Sequence, residues 1–332
     1  MRPVWLQNNR KVRVSEMKQK AILTPCDVIH YNFGLVFHPG GRPRVVITVQ
    51  HNGISTTAFE GIFTPMNDGG LADMNVLPIV MELYRKAYPN VVVVWNQFPR
   101  KFLDTNRDKD DIPKEIYCRE DVFNVPYNDE RLAKYYETFY QEIGFLLRNA
   151  SAEFLETMNQ NKKGFLLDLH GFRKQPAYAP SAGYDVILGT RNRGTILSHQ
   201  ARLSVIKVAD LDYSIRDSLK QSGLSVFCPE FEPIRQRKWR ETNKGDNIVP
   251  RGWIREEDPE DMCLREPPNY KDLYDGGFLI RYCSQFRRIA AAIQLEIHSS
   301  LREGAKEKTE EGSKKRSLFI DTLAGLIVKV CE

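Results

Sequence analysis

The chain has 332 residues, 42% of them hydrophobic and 27% charged, with 48 Lys+Arg against 43 Asp+Glu for a formal net charge of +5. That length and apolar share support a sizeable core and exclude a small stapled scaffold, while so mild a charge excess does not by itself signal nucleic acid. No run approaches 18 consecutive apolar residues, which argues against a membrane span, and six scattered cysteines with no CxxC pair and no apolar leader predict free thiols in a reducing, cytoplasmic setting.

Residues 1–20 are basic and weakly patterned, and residues 1–43 read as an arm and lead-in to the first element. Val45-Val46-Ile47-Thr48-Val49 is a β-branched run, a buried strand that meets a loop at Gln50-His51-Asn52-Gly53. A helix pattern over Asp73–Tyr88 places Val76, Ile79, Val80, Leu83 and Tyr84 on one face, and Val91-Val92-Val93-Val94-Trp95 completes a β-α-β unit. A long helix is expected over Asp129–Asn149, with Leu132, Tyr136, Phe139, Tyr140, Ile143, Leu146 and Leu147 as its stripe.

A third strand, residues 164–171, again ends in a polar loop at Asp168-Leu169-His170-Gly171. Val186–Gly189 and Leu224–Phe227 are further strands, with a helix within Ser198–Gln221 between them. Residues 229–275 are rich in Pro, Trp and charge and read as a long irregular excursion of the kind that builds substrate pockets. Gly276–Ala292 reads as a turn into a helix and Ala292–His298 as a last strand carrying polar residues. Residues 303–317 read as a charged linker, followed by a short amphipathic helix with Phe319, Leu323, Leu326, Ile327 and Val330 on its apolar stripe. The sum is an α/β fold, a mostly parallel mixed sheet with helices on both faces, in one catalytic domain over residues 44–302.

In such a sheet, ligands sit beyond the carboxyl ends of the strands. His51 and His170 both follow predicted buried strands, and Glu296 lies inside the last strand, where a carboxylate is costly unless it is paired or faces a site. Two histidines, a carboxylate ligand and a further Glu make a catalytic zinc site: three protein ligands, an open position and a proton acceptor. The local HExxH motif is absent, so the ligands must come from separate strand ends. Glu60 and Asp73 are the candidates for the third ligand. Asp73, at the start of the first helix, is preferred, although Asp there also serves as an N-cap. Gly189-Thr190-Arg191-Asn192-Arg193-Gly194 lacks the lysine of a phosphate loop, and the basic, tryptophan-bearing stretch at 235–251 reads as a solvated loop, so no nucleic-acid partner is expected.

The segments Thr48-Val49-Gln50-His51-Asn52-Gly53, Asp104-Thr105-Asn106-Arg107, Leu167-Asp168-Leu169-His170, Asp185 to Arg191, Gly276 to Arg281 and Gln294-Leu295-Glu296 occur in the order seen in the N-formylglutamate amidohydrolase family, which the chain resembles over about residues 45–302. The resemblance implies a zinc carboxypeptidase-like (phosphorylase/hydrolase-like) fold and one Zn2+ per chain held by His51, Asp73 and His170. Glu296 would be the general base and Asp168 a partner that steadies His170. Asn106 and Arg107 would hold the substrate's carboxylate, with Arg191 and Arg281 as further anion-binding residues. The chain departs from the family at Val-Gln-His-Asn, where a proline precedes the histidine in the family motif, and at His298, two residues beyond Glu296.

The expected function is metal-dependent hydrolysis of an amide bond in a small N-acyl amino acid or a carboxylate-bearing short peptide. The alternative is an inactive relative that binds a ligand or partner. A nucleophilic hydrolase is disfavoured, because no G-x-S-x-G elbow is present.

Overall fold

A computed structural model of the chain describes residues 12–13, 27–40, 43–53, 59–66, 73–107, 126–156, 164–173, 175, 181–190, 211–228, 278–284, 289–302 and 309–331. Among them nine strands form one mixed sheet: β1 (Val12–Arg13), β2 (Asp27–His30), β3 (Gly34–His38), β4 (Val45–Val49), β5 (Val91–Asn96), β6 (Gly164–Phe172), β7 (Val186–Gly189), β8 (Val226–Phe227) and β9 (Ile289–His298). Their spatial order is β1-β2-β3-β5-β4-β6-β9-β7-β8. The middle of the sheet, β5-β4-β6-β9, is parallel throughout; β3 is antiparallel to β5 on one side and β7 is antiparallel to β9 on the other.

The helices are α1 (Val76–Ala87), α2 (Ala133–Glu156), α3 (Leu211–Gln221), α4 (Phe278–Ser284), α5 (Ser299–Arg302) and α6 (Glu310–Cys331). The central strands are continuous apolar runs because both of their faces are covered. Val45, Ile47, Val49, Leu167, Leu169, Ile293 and Leu295 pack beneath α1, α3 and α6. Val46, Val92, Val94, Leu166 and Ala292 pack on the other face, beneath α2 and α4.

Three sequence expectations change. The stretch read as arm and lead-in contains β1, β2 and β3, an antiparallel extension of the sheet. Buried and partly exposed positions interleave along β2 and β3, so neither strand has the unbroken apolar run that reveals a central one. The terminal helix has 22 residues and begins at Glu310, inside the supposed linker. Its first turns are charged because they lie on the surface, where Lys315 reaches Asp185 at 3.1 Å and Arg316 reaches Glu82 at 3.7 Å, and Glu and Lys are good helix formers. Among the described residues the segment before the last strand is helical over α4, and β9 starts at Ile289 rather than Ala292. The 229–275 excursion, the basic 235–251 stretch, residues 198–210 and residues 303–308 lie outside the described residues. No helix among the described residues is long and apolar enough to cross a membrane.

Candidate metal centre

Residues two apart on a strand share one face. On the α2 face, the even-numbered positions begin apolar (Val46, Leu166, Ala292) and turn polar toward the carboxyl ends: Thr48 and Gln50, Asp168 and His170, Gln294 and Glu296. The parallel register sets Thr48 and Gln294 on either side of Asp168, and places His170 opposite Glu296. All six polar residues are buried.

Asp168 organises this patch. Its Oδ1 accepts from Thr48 Oγ1 at 2.7 Å; its Oδ2 accepts from Gln50 Nε2 at 2.7 Å and lies 2.8 Å from His170 Nε2. The Gln50 contact uses the residue just before His51, a side chain with an amide to donate.

His51 stands in the loop after β4. A Cβ on Gly53 would lie 2.4 Å from the Phe98 carbonyl oxygen, so glycine lets this loop press against the one that follows β5. Trp95 Nε1 donates to Asn52 O at 2.7 Å, and Asp73 N donates to His51 O at 2.9 Å. Asn52 Oδ1 accepts from Leu77 N at 3.0 Å in the first turn of α1. Asp73 is therefore spared the capping role its position suggested, and its carboxylate turns to the histidines.

His51 Nδ1, His170 Nδ1 and Asp73 Oδ2 form a triangle with edges of 3.1 Å between the imidazoles, 3.1 Å from His170 to Asp73 and 3.3 Å from His51 to Asp73. Each imidazole is held at its far nitrogen by a carboxylate, His51 Nε2 by Asp104 Oδ1 at 2.8 Å and His170 Nε2 by Asp168 Oδ2 at 2.8 Å. A carboxylate there keeps a proton on Nε2, so that Nδ1 offers a lone pair to a cation whenever it is not itself protonated. Three buried acceptors converging at these distances repel one another unless a cation or proton lies among them. A tetrahedral ion with bonds of about 2.0–2.1 Å spaces its ligands by roughly 3.3 Å, close to all three edges. This buried group can hold a metal ion. Glu60, the other candidate third ligand, is exposed and 3.6 Å from Lys101 Nζ.

The electrostatics agree. Burial would lower the pKa of His170, but the charge of Asp168 and hydrogen bonds to Asp168 and Asp73 raise it well above the ordinary value, so a proton takes up the role a cation can fill. Burial would raise Asp73, yet hydrogen bonds from His170 and His51 hold it below the carboxylate range. Asp104 is also held low, since Arg100 and Arg107 outweigh its burial. Glu296 moves the other way: burial pushes its pKa up, opposed by the charge of His170 and reinforced by Asp73. Gln294 Nε2 donates to Glu296 Oε1 at 2.6 Å.

Asn106 and Arg107 lie in the loop after β5, beside Asp104. Asn106 Oδ1 accepts from Leu279 N at 3.3 Å, tying the loop to α4, and Arg107 Nε lies 3.8 Å from Asp104 Oδ2 with its side chain a third exposed. Tyr136 and Tyr140, predicted only as apolar stripe, donate their hydroxyls to the carbonyls of Arg107 and Thr105. Arg100 was not singled out in the sequence. Its Nε donates to Asp104 Oδ2 at 2.9 Å, and its charge is felt by Asp73 and Glu296. A signal existed in Arg100 and Asp104 being four apart, but only the fold shows that this pair abuts His51. Arg191 lies outside the described residues, and Arg281 falls within α4. His298 is engaged at the rim, with Nδ1 2.9 Å from Ser300 Oγ and Nε2 3.1 Å from Arg173 O.

No protein-family model and no curated protein matches the chain. Among solved structures it is similar to N-formylglutamate amidohydrolase from Ralstonia eutropha JMP134, at 16% identity and a TM-score of 0.48 over 89% of this chain and 96% of that one. It is also similar to gene product Atu2144 from Agrobacterium tumefaciens, at 11% identity and a TM-score of 0.46 over 89% of this chain and 93% of that one.

Proposed function

We propose that the protein is a zinc-dependent hydrolase that cleaves the amide bond of a small N-acyl amino acid, N-formylglutamate-like, or of a carboxylate-bearing short peptide. The observation that carries this reading is the triangle of His51, Asp73 and His170, with each imidazole backed by its own carboxylate and Glu296 opposite His170. Two imidazoles and one carboxylate suit zinc by ligand type. Bound there, zinc supplies Lewis-acid polarisation of the scissile carbonyl and activates water for attack.

The chain's own groups do the rest. Glu296, its pKa raised from the usual carboxylate value, accepts a proton from the attacking water and returns it to the leaving amine nitrogen. Arg100, anchored by Nε on Asp104, is assigned to stabilise the charge that builds on the carbonyl oxygen. Arg107 offers a planar fork to the substrate's carboxylate beside Asn106. Arg191 and Arg281 are assigned to anion binding on the motif resemblance alone.

The test joins metal analysis with a panel of N-acyl amino acids assayed for amine release. The expected result is about one zinc per chain and turnover that falls by about 10²–10⁴-fold in Glu296→Gln while metal content is retained. Turnover that survives in Glu296→Gln overturns the assigned base. Bound metal with no turnover of any substrate in the panel favours the ligand-binding alternative.

A further inference from the structure

The last residue of the predicted catalytic domain, Arg302 in α5, is buried at 6% exposure. Its guanidinium spans three separate segments: Nε donates to Ile297 O at 2.8 Å, one terminal nitrogen to Met74 O at 2.6 Å and the other to Phe172 O at 2.9 Å. Ile297 follows Glu296, Met74 follows Asp73, and Phe172 lies two residues past His170. One planar group thus holds backbone beside three site residues that come from β9, the turn before α1 and β6. Gly171 makes room for it, since a Cβ there would lie 2.3 to 2.6 Å from the guanidinium atoms.

We infer that Arg302 is a positioning residue of the metal centre, fixing Asp73 relative to His170 and Glu296 from beneath. The inference rests on the reading of His51, Asp73 and His170 as ligands. The sheet register alone sets His170 against Glu296, but Asp73 belongs to no strand, and Arg302 ties the carbonyl that follows it to the ends of both strands. Lysine cannot replace this span, because a single ammonium is a point donor while the guanidinium carries its donors on a rigid plane.

The test compares wild type, Arg302→Lys and Gly171→Ala by zinc competition against a chromophoric chelator, and by ¹H–¹⁵N spectra of the His51 and His170 imidazoles in the metal-free proteins. With the fold intact by far-UV circular dichroism, both variants are expected to lose about tenfold or more in zinc affinity, in the range seen when the supports of metal ligands are removed. Their imidazole resonances should shift or double. Wild-type affinity and unchanged imidazole spectra in a folded variant, even one that melts at lower temperature, reduce Arg302 to a general stabiliser and overturn the inference. Should Arg302→Lys fail to fold, Gly171→Ala decides, because its added methyl meets the movable end of a side chain. Should the wild type take up no divalent cation, the metal reading falls, while the imidazole spectra still decide whether Arg302 sets the geometry of the cluster.

Discussion

Leu167 and Asp168 are neighbours on β6, both fully buried, and they face opposite layers. Leu167 enters the apolar layer beneath α1, α3 and α6; Asp168 enters the face covered by α2, where Thr48, Gln50 and His170 surround it. The layer beneath α1 is apolar from end to end of the strands, whereas the α2 face changes chemistry partway, from Val46, Leu166 and Ala292 to the polar positions farther along. A strand's period of two lets one face be specialised without touching the other. The site therefore has an independent apolar foundation, and perturbations of the two faces should separate.

The largest effect expected is at the ligands. His170→Ala should empty the metal position while leaving the fold, because the apolar face keeps its packing; full metal occupancy in that variant would remove His170 from the ligand set. Loss of cooperative unfolding in the same variant would show that the faces are not independent. Leu167→Ala should do the reverse, costing about 2–5 kcal/mol of stability by leaving a cavity, with metal affinity unchanged. Asp168→Asn, one residue on, should weaken metal binding by about 10–100-fold through the lost support of His170. Chemical denaturation and chelator competition on both variants give a double dissociation if the two faces are separate, and parallel losses if they are not.

The pH dependence sharpens the same contrast. His170 has a raised folded pKa, so its contribution to the metal-free protein is fully present below its unfolded value near 6.5 and is lost as pH rises through the folded value. Asp73 and Asp104 are depressed; their contribution is present above the ordinary carboxylate value and is lost only as pH falls through their lower folded values. Metal binding runs against His170's trend, because the ion displaces its proton. The rise in melting temperature on adding zinc should therefore be larger at about pH 8 than at about pH 6. Equal increments at both would mean that no proton is displaced and that the cation binds elsewhere.

Much of this architecture was legible in the sequence. The valine runs of β4 and β5 announce themselves, and the polar residues that interrupt β6 and β9 mark the face that carries the site. What stayed hidden is non-local or changes meaning in context. The pairing of β2 with β3 and of β3 with β5 leaves little periodic trace, and nothing in the sequence singles out Arg302 until the fold places three carbonyls around it. Asp104 was visible as part of a motif, but its hold on His51 depends on a loop after β5 folding back across the end of β4. Gln50 stood out only as a missing proline; its amide matters because Asp168 lies on the adjacent strand.

The smallest effect expected concerns the two tyrosines of α2. Tyr136 and Tyr140 are one helical turn apart and both are largely buried, which is why they read as core. Their rings do pack in that layer, yet their hydroxyls grip the carbonyls of Arg107 and Thr105 and so flank the backbone of Asn106. Removing one such hydroxyl forfeits a hydrogen bond worth about 0.5–1.5 kcal/mol, roughly 2- to 10-fold in an equilibrium constant. If this loop holds the substrate's carboxylate, Tyr136→Phe and Tyr140→Phe should raise KM by about that factor with kcat nearly constant, because the loop binds the ground state and the transition state alike. Zinc affinity should change less than KM, since both hydroxyls are donated to carbonyls of the loop. Substrates with the carboxylate amidated should be insensitive to both substitutions. A fall in kcat at constant KM would instead place the loop with the reacting carbonyl, and the carboxylate-binding role would have to move from Arg107 to another cation of the site.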